Sequence, residues 1–121
     1  MSGLAALALS AVAMVGLAYA ADAMTMGAYF EAKKAGGMDW SHTEIFLTGI
    51  GNGFMAANAV LASNNQTQLF CAPPIALNFD NIEDILEKEY STRPVQWQPT
   101  STMRMVLLVG LMKAFPCKRL P

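Results

Sequence analysis

Cys71 and Cys117 are the two cysteines of a 121-residue chain. They stand 46 positions apart, one in Cys71-Ala72-Pro73-Pro74 and the other in Phe115-Pro116-Cys117. If they pair, they tie a proline-rich middle segment to the tail of the chain, and few small folds satisfy that constraint. Whether they pair depends on the compartment, because thiols stay reduced in the cytosol and oxidise outside it.

The N-terminus bears on the compartment. Residues 2–21 carry no charge and are built from Ala, Leu, Val, Gly and Met, with Leu4, Leu7, Leu9, Val12, Val15 and Leu17 as the apolar weight. The stretch ends in Ala18-Tyr19-Ala20, which presents small residues where a signal peptidase needs them, and Ala21-Asp22-Ala23 offers a second cut. Cleavage is expected after Ala20, between Ala20 and Ala21, with residues 1–20 as a signal peptide and 21–121 as the mature domain. The rival is an uncleaved anchor, since about twenty apolar residues can span a bilayer. Export predicts a Cys71–Cys117 disulfide, worth roughly 4 kcal/mol in the chain-entropy model for a loop of this size. A mature chain of about a hundred residues is one domain, small enough for such a staple to matter.

Helical spacing recurs along the mature chain and no segment sustains a period of two, so the fold expected is all-α, a small bundle of four or five helices. Thr25 is a candidate cap for a first helix carrying Met26, Tyr29 and Phe30, with Lys33 and Lys34 in its last turn and Gly36-Gly37 as its stop. Ser41-His42-Thr43-Glu44 has the form of a capping box, with Trp40 and Ile45 as its staple. From there a helix is expected to reach about Ser63, burying Ile45, Phe46, Ile50, Phe54 and Leu61 and ending at Asn64-Asn65. Gly49, Gly51 and Gly53 interrupt it, each costing about 1 kcal/mol relative to Ala. Close approach of a neighbouring helix is the expected compensation at all three. Asp80 is read as the cap of an acidic helix through Ile82, Ile85, Leu86 and Tyr90, with Glu83, Asp84, Glu87 and Glu89 on its solvent side. Ser101 is read as the cap of a last helix through Met105, Val106, Val109, Met112 and Phe115, broken at Pro116.

Little in the chain suggests catalysis. Nine acidic and eight basic side chains give a net charge of −1, without the clustered Lys and Arg that nucleic-acid binding needs. Two thiols and the single His42 do not make a tetrahedral metal set, so no metal and no cofactor are expected. Residues 49–53 lack the third glycine and the Gly-Lys-Ser/Thr of phosphate-binding loops. Ser41 and Asp39 beside His42 are neighbours along a helix start, which is not triad geometry, so no catalytic residue is assigned. The methionines, among them Met24, Met26, Met103, Met105 and Met112, are read as core filling. Asn65-Gln66-Thr67 matches a glycosylation acceptor, relevant only in a eukaryotic secretory pathway.

The order of pieces is informative beyond composition. A short helix, then Phe46-Leu47-Thr48-Gly49-Ile50 opening a small-residue helix, then Cys71-Ala72-Pro73, an acidic helix followed by a proline, and a terminal Phe115-Pro116-Cys117 together resemble the Rap/Tai family of type VI secretion amidase immunity proteins. The resemblance implies a periplasmic helical bundle, often a homodimer, whose protein partner is a peptidoglycan amidase effector that it blocks. It also implies the Cys71–Cys117 pairing, no enzymatic activity and no membrane attachment once the signal is removed. Many members have a second cysteine pair where this chain, at residues 31–37 and 43–45, has none. Exposed loops at residues 64–69 and 92–98 are the expected contact regions. The alternative function is that of a general periplasmic binding or acid-stress chaperone-like protein.

Overall fold

The computed structural model describes residues 24–71, 77–92 and 96–118. The leader, the cleavage positions Ala20 and Ala21, and Ala72, Pro73, Pro74, Arg93 and Pro94 lie outside the described residues. Four helices follow one another: α1 (Met26–Ala35), α2 (Gly37–Ser63), α3 (Phe79–Thr92) and α4 (Met103–Ala114). The fold is all-helical, no strand occurs among the described residues, and Cys71 and Cys117 form a disulfide.

The N-termini of α1 and α4 satisfy each other. The first N–H groups of any helix lack intrahelical partners. Here Met26 N–H donates to the Ser101 carbonyl (2.9 Å), Gly27 N–H to the Pro99 carbonyl (2.9 Å) and Met103 N–H to the Met24 carbonyl (2.8 Å). Thr25 caps α1 as expected, its Oγ1 accepting from Ala28 N–H at 3.1 Å. Ser101 does not cap α4. Its hydroxyl turns back to accept from Gln98 N–H (2.9 Å), and Thr102 takes the cap position without a side-chain bond because Met24 already serves that helix end. The start of α3 is also displaced: Asn78 Oδ1 accepts from Asn81 N–H (3.0 Å), which makes Asn78 the cap and puts Asp80 inside the first turn.

A single residue, Gly36 at φ 67°, separates α1 from α2. The Ser41 capping box therefore does not form: α2 begins at Gly37, leaving Ser41 and Glu44 within the helix. Trp40 supplies the reason. Its ring packs edge-on against Tyr29 (5.5 Å between centroids) and Phe79 (5.9 Å), so the turn before Ser41 gains more from helical continuation into the core than from a cap.

The core gathers Met26 and Tyr29 of α1, Leu47 of α2, Phe70 of the segment after α2, Ile82 and Leu86 of α3, and Met103, Val106, Leu107 and Leu111 of α4, each fully buried. Burying side chains of this size stabilises by about 1.5–3 kcal/mol apiece. Two expected faces are corrected. In α2 the buried positions are Thr43, Leu47, Gly51 and Asn58, while Ile45 and Phe46 are exposed and Ile50, Phe54 and Leu61 are half-buried. In α4, Met103, Val106, Leu107, Gly110 and Leu111 face inward and Met105 and Met112 face out; Met26 and Met103 fill the core fully buried, and Met24 packs partly buried against it.

The glycines divide in the same way. At Gly51 an added Cβ would lie 2.6 Å from Ile82 Cδ1, which is the close helix approach expected. At Gly49 and Gly53 nothing among the described residues lies within 4 Å, so packing among those residues does not account for them. Gly110, not singled out from the sequence, sits where a Cβ would meet the Ile85 side chain at 2.9 Å and its carbonyl oxygen at 3.1 Å. Gly53→Ala should therefore raise stability in dilute solution by about 1 kcal/mol through helix propensity. Gly110→Ala should lower it by about 1–3 kcal/mol, because α3 and α4 must move apart. Urea unfolding followed by circular dichroism distinguishes the two signs.

Candidate functional site

The segment after α2 is exposed and yet held at both ends. Its entry is a Schellman turn: Asn65 N–H donates to the Ala62 carbonyl (3.1 Å) and Gln66 N–H to the Leu61 carbonyl (2.8 Å). Asn65 takes the left-handed backbone this requires, at φ 55°, which Asn tolerates better than most residues. The exit is held by Asn58, a buried α2 side chain whose Nδ2 donates to the Phe70 carbonyl (2.5 Å) and whose Oδ1 accepts from Leu69 N–H (2.9 Å). Phe70 is buried, Cys71 N–H donates to the Phe115 carbonyl (2.8 Å), and the disulfide follows. Between these anchors Asn64, Asn65, Gln66, Thr67 and Leu69 face solvent. The loop offers amide and hydroxyl groups, one large apolar side chain and no charge.

The other expected contact region is placed elsewhere. Gln96, Gln98, Pro99 and Thr100 are exposed, but the segment belongs to the α1–α4 end, where the Pro99 carbonyl accepts from Gly27. Trp97 points inward and its Nε1 donates to Glu89 (3.0 Å).

Glu89 is a correction to the expected solvent face of α3. It is 4% exposed, and both its oxygens accept from Lys113 Nζ, at 2.7 and 2.8 Å. Burying a carboxylate is tolerable only with such partners, and these join α3 to the last turn of α4. Glu83 and Glu87, also assigned to the solvent side, are half-buried at the α1–α3 seam. There Lys33 forms ion pairs with both, and Tyr29 Oη donates to Glu87 (2.7 Å) and Glu83 (3.2 Å). Burial pushes the Tyr29 phenol well above its ordinary range, and the two carboxylates push it further in the same direction. Lys33 is held above its usual value chiefly by hydrogen bonds to Glu83 and Glu87.

Both shifts have the same consequence for stability. Above pH 10.0, the ordinary Tyr value, the unfolded chain releases the Tyr29 proton while the folded chain retains it, so stability contributed at neutral pH is lost as pH rises. The expected slope is about 1.4 kcal/mol per pH unit for this group. Tyr29→Phe should flatten the alkaline limb of a Tm-against-pH curve.

His42 is exposed and lines a groove between α1 and α2 with Glu31, Asp39 and Met24, a groove to which Ser41 does not contribute. Among the described residues, no group of three His, Cys, Asp or Glu side chains is placed to hold a metal ion.

The outward side of α2 is the other exposed feature. Residues 45–63 contain no charged side chain, although most are solvent-exposed, with Ile45 at 71% and Val60 at 58%. By length and composition alone α2 would suffice to cross a membrane. A surface helix ordinarily carries charge on the face away from the core. A shallow depression lined by Ile45, Thr48, Gly49, Asn52 and Phe79 lies along its edge.

No protein-family model, no characterised protein and no solved structure matches the chain. The amidase-immunity reading is therefore carried by the residues quoted for it. Sequence reasoning located the exposed loop at residues 64–69 but missed Asn58. Its signal was a lone polar residue at a multiple of the helical period from Leu47 and Gly51, flanked by alanines.

Proposed function

We propose that this chain is an extracytoplasmic, non-enzymatic binding protein of the immunity type, which blocks a peptidoglycan amidase effector through the loop at residues 64–69. The observation that carries the proposal is the anchoring of that loop. It protrudes into solvent while a Schellman turn, the Asn58 side chain and the Cys71–Cys117 bridge hold its ends. A loop already held in its bound shape loses little conformational freedom on association, and that loss is among the main costs of binding. An element of this kind suits occlusion of a cleft, where it needs shape and hydrogen-bonding groups but no reactive side chain. The disulfide agrees with work outside the cytoplasm, the periplasm being the compartment that the leader and the resemblance suggest. The amidase as partner comes from that resemblance.

The test is rescue of cells that express a neighbouring cell-wall amidase in the periplasm, with affinity measured on purified proteins. Wild type should rescue. Gln66→Arg combined with Leu69→Asp should weaken binding roughly 30-fold or more, in the range of a hot-spot loss, with an unchanged melting curve because both side chains are exposed or half-exposed at the loop surface. Full rescue by that variant, or no binding to any neighbouring cell-wall hydrolase, would overturn the proposal.

The exposed apolar side of α2 favours one second reading, a chaperone-like protein that holds clients on that surface. It predicts suppression of client aggregation at low pH, and that suppression should survive the loop variant.

A further inference from the structure

The edge of α2 beside the start of α3 carries a row of polar side chains. Glu44, Thr48 and Asn52 follow one another at one turn each and, with Ile45, Gly49 and Phe79, line a groove of about 420 Å³, within the range of about 300–1,000 Å³ typical of small-ligand sites. Among the described residues, none of these three polar side chains has a hydrogen bond or an ion pair. Neither α2 nor the opening of α3, from Phe79 to Asp84, contains a Lys or Arg, and the formal charges they bring, on Asp39, Glu44, Asp80, Glu83 and Asp84, are all negative. Of these, Glu83 is paired with Lys33. We propose that the groove binds an extended peptide segment in which a Lys or Arg stands two residues from an aromatic or large aliphatic side chain.

Glu44 decides the charge of the occupant. It is half-buried in a groove it shares with Ile45 and Phe79, and an apolar group laid over it would take a carboxylate out of water without pairing it, which is costly. An acidic group would be repelled. A lysine ammonium or a guanidinium brings the opposite charge and the hydrogen-bond donors together. The hydrocarbon of a bilayer and a purely apolar client surface bring neither. The spacing of the row decides the conformation. One step from Glu44 to Thr48, or from Thr48 to Asn52, advances about 6 Å along the helix, and two residues of extended chain advance about 6.6 Å. A strand lying along α2 therefore offers a backbone N–H or C=O to Thr48 and Asn52 in turn, and its alternate side chains reach Glu44 and the apolar wall of Ile45 and Phe79. Gly49 has no side chain to hold that backbone off. A helical occupant keeps its backbone groups paired internally and leaves Thr48 and Asn52 without them. The groove is separate from the loop at residues 64–69, since Thr48 precedes Ser63 by about 22 Å of helix, and it does not depend on an amidase as partner.

Amide NMR spectra of the exported protein, recorded during titration with acetyl-Lys-Ala-Phe-amide, provide the test. Saturable shifts should gather at Glu44, Thr48, Gly49 and Asn52 with a Kd of about 1 mM or tighter, and binding should weaken as salt is added. Acetyl-Glu-Ala-Phe-amide and acetyl-Lys-Ala-Ser-amide should each bind roughly 10-fold or more weakly. Glu44→Gln should lose roughly 10-fold in affinity for the basic peptide with an unchanged melting curve. Gly49→Leu should abolish binding by filling the groove, while its melting temperature stays level or rises because Leu is the better helix former. The proposal fails if the wild type shows no such shifts up to about 10 mM peptide, if the acidic peptide binds as well as the basic one, or if Glu44→Gln binds like wild type. It fails too if the same amides respond to phosphatidylcholine vesicles, or to protein concentration alone, and the peptide does not displace that response. The loop variant described above should bind the peptide normally and Glu44→Gln should still bind the amidase, so failure of one proposal leaves the other standing.

Discussion

Replacing both cysteines with serine should lower the unfolding free energy by about 4 kcal/mol, the value expected for opening a loop that spans 46 residues. For a domain of about a hundred residues, whose total stability falls in the usual range of 5–15 kcal/mol, that is a large share. The hydrogen bond from Cys71 N–H to the Phe115 carbonyl remains available without the bridge, so the folded shape can persist while the unfolded chain gains freedom. The expected result is a urea midpoint shifted sharply down with the slope of the transition little changed. The same shift should follow when wild type is treated with dithiothreitol. A double variant as stable as the wild type would show that the bridge contributes nothing to the fold.

The second large effect is expected at Asn58. Asn58→Leu keeps the volume of the side chain and removes the Asn58 bonds to Leu69 N–H and the Phe70 carbonyl, two backbone groups at the base of the loop. Each buried group that loses its partner costs about 1–3 kcal/mol, so a loss of about 2–4 kcal/mol is predicted in denaturant unfolding. Hydrogen exchange should report the location directly: the Leu69 amide loses protection while amides in the middle of α4 keep theirs. If loop 64–69 is the binding element, affinity for the partner should fall as well, although a buried Asn58 cannot touch that partner. A loop that exchanges as slowly in Asn58→Leu as in wild type would remove the basis for its rigidity.

The sequence and the structure agree best where a residue type acts through its own covalent geometry. Thr25 caps α1, Asn64 and Asn65 end α2, and Cys71 pairs with Cys117. They disagree where two local solutions had similar energy. Ser41 and Glu44 are well spaced for a capping box, but one residue at Gly36 turns the chain and Trp40 reaches Tyr29 and Phe79, so the helix starts five residues earlier. Asn78 lies closer than Asp80 to the turn that opens α3, and it takes the cap. Glu89 resembles the other acids of α3 in sequence and differs only in having Lys113 and Trp97 beside it, which spacing along a single helix cannot reveal.

From the residues alone it follows that the chain folds as helices, that prolines and glycines divide them near their observed ends, and that one disulfide closes the structure. Those properties depend on backbone freedom, on period and on thiol chemistry, all of which act locally or need only two atoms. Which side of α2 is buried was decided by tertiary packing. That helix is apolar or small on nearly every side and so has no polar face to define an inside. Ile82 of α3, meeting the bare backbone at Gly51, settles its rotation, and the same rotation turns Ile45, Gly49, Gly53 and Val60 outward.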